Sequence, residues 1–495
     1  MVERALPFSR GLRIVSANRG RLLRSAVFEG SAVIDEVVLQ RVLGRALRTG
    51  GDFAEIFAED RRSGMARLDD GRVEELTSGR ERGAGIRVVV GETTGFAHTA
   101  DLSEPGLLAA AEAAAAAARG GGGGARTIAL TRVDAPSPNQ VAVLPESVAK
   151  ATKVELLRRA DDVARSAGSA IRQVSAAYAD SRRQILVANS DGVLASDDQV
   201  KTRFSVSAVA VGDTGMQTGR ESVGATIGWE LFDRYDVEEL ARLAATRALR
   251  KLSARPAPSG AVPVVIKSGG GGVLFHEACG HGLEADLVGR DASVFRGRRG
   301  EQVASAHVTL VDDGTMGPEW GAIGIDDEGH RAGRNVLIQD GILTDYMWDW
   351  LRARKEGRDS TGNGRRQSYQ HLPMVRMTNT YLLNGTEDPE EIIRQTPHGV
   401  YVAQLGGGQV NTATGDFVFG MTEAYLIEGG RITDPLRDAN LIGSGPEVLR
   451  NIDVVGNDFA MGSPGTCGKD GQGVPVGDGQ PTLRVTALTV GGTAA

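Results

Sequence analysis

Apolar residues recur at helical spacing in three stretches of the first half of the chain and alternate with polar ones between them. From Ile34 to Arg48, the residues Val37, Val38, Leu39, Val42, Leu43, Ala46 and Leu47 fit one face of an amphipathic helix. Asp52 to His98 alternates instead, and turns at Asp69-Asp70-Gly71 and Gly91-Glu92-Thr93-Thr94-Gly95, which predicts an antiparallel meander. Ser103 is placed to cap a helix with Pro105 in its first turn, running through the alanines 109 to 118. Gly120 to Gly124 ends that helix as a flexible loop. A further helix, Lys153 to Ser166, precedes another meander, and another spans Val237 to Leu252.

The two meanders echo each other. Tyr178-Ala179-Asp180-Ser181-Arg182-Arg183 follows the pattern of Phe57-Ala58-Glu59-Asp60-Arg61-Arg62. Asp191-Gly192 and Val211-Gly212-Asp213-Thr214-Gly215 follow Asp70-Gly71 and Val90-Gly91 to Gly95. An internal duplication explains this, although similar hairpins can arise independently. Ala254-Arg255-Pro256-Ala257-Pro258-Ser259-Gly260 reads as a linker. After it, Pro263 to Ile266 reads as a strand, Ser268 to Gly272 as a loop and Val273 onward as a helix, followed by glycine-rich short strands ending with Leu483 to Val490. The expected class is α+β. A helix-plus-antiparallel-sheet domain over 31–253, possibly duplicated, leads through a linker at 254–260 to a β-rich domain over 261–495.

Composition narrows the functional classes. At 495 residues the chain is long enough for two or three domains with proper cores. A net charge of -7 argues against a general binder of nucleic acid or anionic membranes. No apolar run approaches the roughly 20 residues of a membrane span. Two cysteines offer no disulfide framework, so a reducing cytoplasm is the expected location. The first 30 residues hold six arginines against Glu3 and Glu29, and lack a secretory apolar region with a cleavage signal. They read as a basic, disordered extension.

The densest chemistry is His276-Glu277-Ala278-Cys279-Gly280-His281, directly after Val273-Leu274-Phe275. Zinc peptidases place two histidines and an adjacent glutamate on a helix in this way: the imidazoles hold the metal and the glutamate accepts a proton from water. Composition alone gives such a pattern roughly a one per cent chance of arising in the chain. The spacing is unusual, because histidines five apart on a regular helix lie roughly 140° around from each other. A π-bulge would bring His281 back toward His276, with Gly280 best able to take up the distortion. Alternatively, the helix ends there and His281 swings in from its end.

A third ligand must come from elsewhere. Glu284 and Asp286 lie just downstream, but their bland reading is as solvated helix residues. Cys467, in Pro464-Gly465-Thr466-Cys467-Gly468-Lys469-Asp470, has glycines that allow close backbone approach, and Lys469 or a metal would favour its thiolate. Its polar surroundings argue against a core strand, so packing and ligation stay open on chemistry alone.

Taken with its other segments, the chain resembles the TldD branch of the TldD/TldE (PmbA) peptidase family. The likeness runs from about Ile34 to the end and is strongest after Val264. It is carried by His276 to Asp286, Val311-Asp312-Asp313-Gly314-Thr315-Met316, Ile325-Asp326-Asp327-Glu328-Gly329 and Thr361-Gly362-Asn363-Gly364-Arg365-Arg366. It continues through His371-Leu372-Pro373-Met374, Met377-Thr378-Asn379-Thr380, Gly406-Gly407-Gly408-Gln409-Val410, Leu441-Ile442-Gly443-Ser444-Gly445, Cys467-Gly468-Lys469 and Pro475-Val476-Gly477. The resemblance implies zinc bound by His276, His281 and Cys467, with Glu277 as general base. It also implies a substrate of unstructured peptides, including precursor or leader segments, and a dimer with a TldE-like paralogue that lacks the zinc motif. A homodimer is the second possibility.

Other readings carry less. Gly269-Gly270-Gly271-Gly272 sits between a strand and a helix, but no Lys-Ser/Thr follows to make a phosphate loop. Members of the family have been described as DNA gyrase modulators, which would make the chain a non-catalytic regulatory or scaffold protein with no need of a general base. Arg365, Arg366, Tyr369 and His371 form a polar cluster that could supply an oxyanion donor, though such residues are more often loop hydrogen-bonders. Leu405-Gly406-Gly407-Gly408-Gln409-Val410 could pair with an extended peptide as an added strand, or could serve only a turn or bulge.

Overall fold

The computed structural model describes residues 34–118, 127–135, 137–138, 140–213 and 215–492. The basic stretch 1–30 and the loop Gly120–Gly124 lie outside the described residues. The first half is built around one antiparallel sheet. Helix α1 (Glu36–Leu47) buries Leu39, Val42, Leu43, Ala46 and Leu47, while Val37 faces outward beside the Asp35 cap. Strands β1 (Phe53–Asp69), β2 (Arg72–Val90) and β3 (Thr93–Thr99) form the expected meander, and α2 (Glu104–Ala117) follows with Ser103 capping the Gly106 N–H. Helix α3 (Lys150–Ser166), strands β4 (Ile171–Asn189), β5 (Val193–Gly212) and β6 (Gly215–Ala225), and helix α4 (Val237–Lys251) repeat that order.

The repeat has a symmetric register. Strands β1 and β4 pair antiparallel at the centre of the sheet, Phe57 opposite Val187 and Ala66 opposite Tyr178. Phe57 and Tyr178, which begin the echoed segments, therefore exchange places about an axis between the strands. Both halves also solve the same packing problem alike. A Cβ on Gly95 of β3 would lie 2.1 Å from the Ala114 carbonyl of α2, and one on Gly219 of β6 would lie 2.0 Å from the Ala244 carbonyl of α4. Each alanine-rich helix thus lies directly on a glycine in the third strand, an approach that any side chain there would block.

The second half is strand-rich, as expected. Strands β7 (Gly260–Ile266), β8 (His398–Val410), β9 (Asp416–Glu428), β10 (Ala439–Ser444) and β13 (Leu483–Gly492) form a ring: β8 pairs with β7, β7 with β13, β13 with β10, β10 with β9, and β9 with β8. A second sheet carries β12 (Gln472–Gln480), whose hairpin partner is β11 (Gly465–Lys469). The core between them includes Leu274, Phe275, Cys279, Met377, Cys467 and Val474. The segment read as a linker is partly ordered here, since Arg255 and Pro256 pair with Leu436 and Arg437.

Candidate metal centre

Strand β7 runs into the glycine loop, and the chain then winds into helix α5 (Gly272–Phe275). The next five residues, His276–Gly280, form a π-turn, in which the His281 N–H donates to the His276 carbonyl. One extra residue per turn returns the fifth position to the first, and the two imidazoles end 5.1 Å apart at 83°. His281–Leu283 then tightens to a 3-10 turn. Gly280 is an ordinary right-handed helical residue, φ -57° and ψ -49°, so it takes up no distortion. It is glycine because a Cβ would sit 2.2 Å from the Met377 sulfur.

The hairpin β11–β12 delivers Cys467 to the same point. Its Sγ lies 3.2 Å from His281 Nε2, and ligand atoms of His276, His281 and Cys467 all fall within 4.8 Å of one another. All three side chains are buried, and among the described residues neither ring nitrogen of His276 has a hydrogen-bond partner of good geometry, the Cys467 thiol beside it interacting through charge. An imidazole with both nitrogens dry and unpaired is costly unless a ligand fills the gap. Two imidazoles and a thiol form a set suited to zinc. Glu277 stands at the edge, its Oε2 3.7 Å from His281 Nε2 and its side chain 25% exposed.

The electrostatics around this cluster were only partly foreseen. Glu284 and Asp286 are buried, not solvated. Glu284 Oε2 lies 2.9 Å from His281 Nδ1 and accepts from Lys469 Nζ at 2.9 Å, while Asp286 accepts from the same ammonium at 2.7 Å. Lys469 therefore serves the carboxylates behind the histidine rather than the Cys467 thiol. Burial would raise the Glu284 carboxyl, but His281 and Lys469 override it and hold it near 2. Burial would likewise raise Cys467, yet His276 and His281 bring the thiol down to about 4, giving a thiolate at neutral pH. Cys279 is buried in the core, where desolvation alone pushes its thiol up. The only cue to Glu284 in the sequence was its place three residues after His281.

Family models described as PmbA/TldA metallopeptidase domain 1, central domain and C-terminal domain match residues 54–118, 144–252 and 259–492. A metalloprotease TldD homolog from Haemophilus influenzae is 41% identical over 449 residues, covering 89% of this chain and 93% of that protein. The chain belongs to the PmbA/TldD metallopeptidase family. A metalloprotease from Methanothermobacter thermautotrophicus is 38% identical to this family member over 89% of the chain and 96% of its own length. Among solved structures, a Thermotoga maritima protein described as a candidate modulator of a DNA gyrase superposes with a TM-score of 0.77 at 21% identity, covering 92% of this chain and 100% of its own. TldE from Thermococcus kodakarensis does so with 0.72 at 19%, over 92% and 100%. At those identities the likeness is one of fold.

In this PmbA/TldD member the other site candidates are scattered. Arg365 is buried and donates to the carbonyls of Met377 and Pro475, so it braces the π-turn's neighbour against the Cys467 hairpin. His371 Nδ1 lies 2.9 Å from Ser368 Oγ, and the Tyr369 N–H donates to Glu59 in the first sheet. Neither Arg365 nor His371 hydrogen-bonds to any of the three clustered residues. Gly406 and Gly407 form a bulge: the β8–β9 register jumps from Leu405 to Gly408. Both line a cleft of about 530 Å³ that also includes Val273, Thr466 and Asp478, which flank His276 and Cys467. Asp478, which no motif marks, is a buried carboxyl pushed up to about 6 by desolvation, moderated by His276.

Proposed function

We propose that this PmbA/TldD metallopeptidase is a zinc enzyme that cleaves extended, unstructured peptides, with the metal held by His276, His281 and Cys467. The observation that carries the reading is the convergence of those three side chains with His276 unpaired. A bound zinc ion would supply Lewis-acid chemistry, acidifying water and polarising a carbonyl. Glu277 at the rim accepts the proton from the attacking water and returns it to the leaving amine. Glu284 holds His281 with Nε2 turned toward the cluster, because its own hydrogen bond occupies Nδ1. Arg365 and His371 take structural parts in this scheme.

Substrate entry is supported by the edge of β8. Parallel pairing with β7 covers only Val400 to Val402, and the Leu405 N–H then donates to Gly270. Beyond that, Gly406 and Gly407 face the cleft without side chains, which suits a peptide adding as a strand. Main-chain pairing reads little sequence, so precursor or leader segments fit, and folded proteins do not.

The same reading includes a dimer with a TldE-like paralogue, a homodimer being the second arrangement. The cleft is partly open to solvent in the single chain, and a second subunit would enclose it. No described helix is long and apolar enough to cross a membrane, and both cysteines are free, which suits a cytoplasmic protein. Co-expression with the paralogue followed by light scattering and a peptidase assay on chain and pair tests this part, and a fully active monomer would overturn it. A purely regulatory role leaves the unpaired His276 without a purpose.

A further inference from the structure

Opposite the metal cluster, the cleft is walled by the first sheet, and its charges are unevenly distributed. Arg203 on β5 and Arg220 on β6 both line it, along with Ser222. Arg203 donates to Ser222 Oγ at 3.3 Å and is half-buried, while Arg220 is exposed. Neither makes an ion pair with a described residue. The contrast is Arg247 in the adjoining compartment, whose guanidinium is committed to Glu221 and Glu423. Lys267 also lines that compartment and makes no ion pair among the described residues. The cleft's own carboxyl, Asp478, sits on the far wall beside the metal cluster.

We infer that Arg203 and Arg220 form a subsite for a substrate carboxylate, making acidic peptide segments the preferred class. This rests on the peptidase reading of the same cleft. Three physical points support it. Burial and the neighbouring Arg220 both work against the charge on Arg203, and no carboxylate offsets them. The two guanidinia stand on adjacent strands, and each is a planar fork of donors that matches a carboxylate better than a lysine would. The protein as a whole carries a net charge of -7, so a cationic wall inside an acidic surface concentrates anions in the cleft. The carboxylate can come from a Glu or Asp side chain or from the peptide's own C-terminus.

The experiment uses quenched fluorescent peptides that differ by Glu or Gln at one position at a time, each made as free acid and as amide. Rates are compared for the wild-type protein, the Arg203→Gln/Arg220→Gln pair and the Arg203→Lys/Arg220→Lys pair, in the assembly that is active. Wild type is expected to favour the acidic peptide by about tenfold in kcat/KM at one or two positions, the scale of one charge-assisted pair. That ratio should collapse toward one in the Gln pair and be partly kept in the Lys pair. A preference confined to free acids assigns the site to the chain terminus, and one that follows Glu assigns it to side chains. If no peptide is cleaved, the peptidase reading fails separately, and fluorescence anisotropy of the same peptides still reads the site. Equal rates and equal binding of acidic and neutral peptides by wild type, or a preference that survives in the Gln pair, overturns the inference.

Discussion

Glu284 and His281 lie three residues apart in a tight turn, with carboxylate oxygen and Nδ1 separated by 2.9 Å. That contact fixes which nitrogen of His281 faces Cys467, and Lys469 anchors the carboxylate from behind. Replacing Glu284 by Gln should weaken metal retention by about 10–100-fold, the usual effect of losing such a partner. Competition against a chelator of known affinity measures this, with circular dichroism to show that the fold persists. Unchanged retention would mean the cluster is oriented by other contacts.

Cys467 should be the most consequential of the three proposed ligands to alter with a near-isosteric residue. Cys467→Ser keeps the volume but removes a thiolate that is present near neutral pH. Bound zinc should fall to well under one equivalent, while Cys279→Ser, which changes a core thiol, should retain the metal. Elemental analysis of the two purified variants separates them.

Gly407 and Gly408 make opposite predictions from adjacent positions. A Cβ at Gly407 meets nothing within 4 Å, whereas one at Gly408 would lie 2.1 Å from the Phe419 ring. Gly407→Val should leave the melting temperature nearly unchanged and lower peptide affinity. Gly408→Val should destabilise the protein by about 1–3 kcal/mol through overpacking. Equal affinity in Gly407→Val would contradict strand addition at this edge.

The bridge from Arg247 to Glu423 ties α4 to β9 and gives a pH signature. Burial opposes ionisation of Glu423, but the Tyr425 hydroxyl and the Arg247 guanidinium outweigh it and lower the carboxyl below its ordinary value. A depressed folded-state value means the contribution is fully present above the unfolded value near 4.5 and is lost as pH falls through the folded one. The stability gap between wild type and Glu423→Gln, from urea unfolding, should therefore be constant from pH 7 to about pH 5 and close below it. A gap independent of pH would rule out the ionised pair as its source.

Much of this was legible in the sequence because it depended on local patterns. The alternation and turns from Asp52 to His98 and the echo at Tyr178 predicted both meanders, and β1 and β4 pair in the register such a repeat requires. Five-residue spacing of the histidines left a π-turn or a helix end as the two ways to bring them together, and His276–Gly280 is the π-turn. Contacts between distant segments were not legible. Lys469 could be placed near Cys467 by sequence, but its pairing with Glu284 depends on how the β11 hairpin lies against the 3-10 turn. The same holds for Gly280, whose identity is set by Met377, a residue 97 positions away in the chain. Residue type left Arg365 and His371 open between an oxyanion donor and the commoner loop hydrogen-bonder, and only the fold gives their partners, which are carbonyls and a serine.

The central claim concerns Glu277 as the proton carrier beside a bound metal. Its most direct test is peptidase activity and zinc content of Glu277→Gln, measured together on the assembled protein. The side chain is not among the three proposed ligands, so the variant should retain its zinc at wild-type stoichiometry. Its kcat should fall by about 10²–10⁴-fold, the range for removing a general base. Full activity in the variant, or wild-type protein that holds no stoichiometric zinc, would contradict the account.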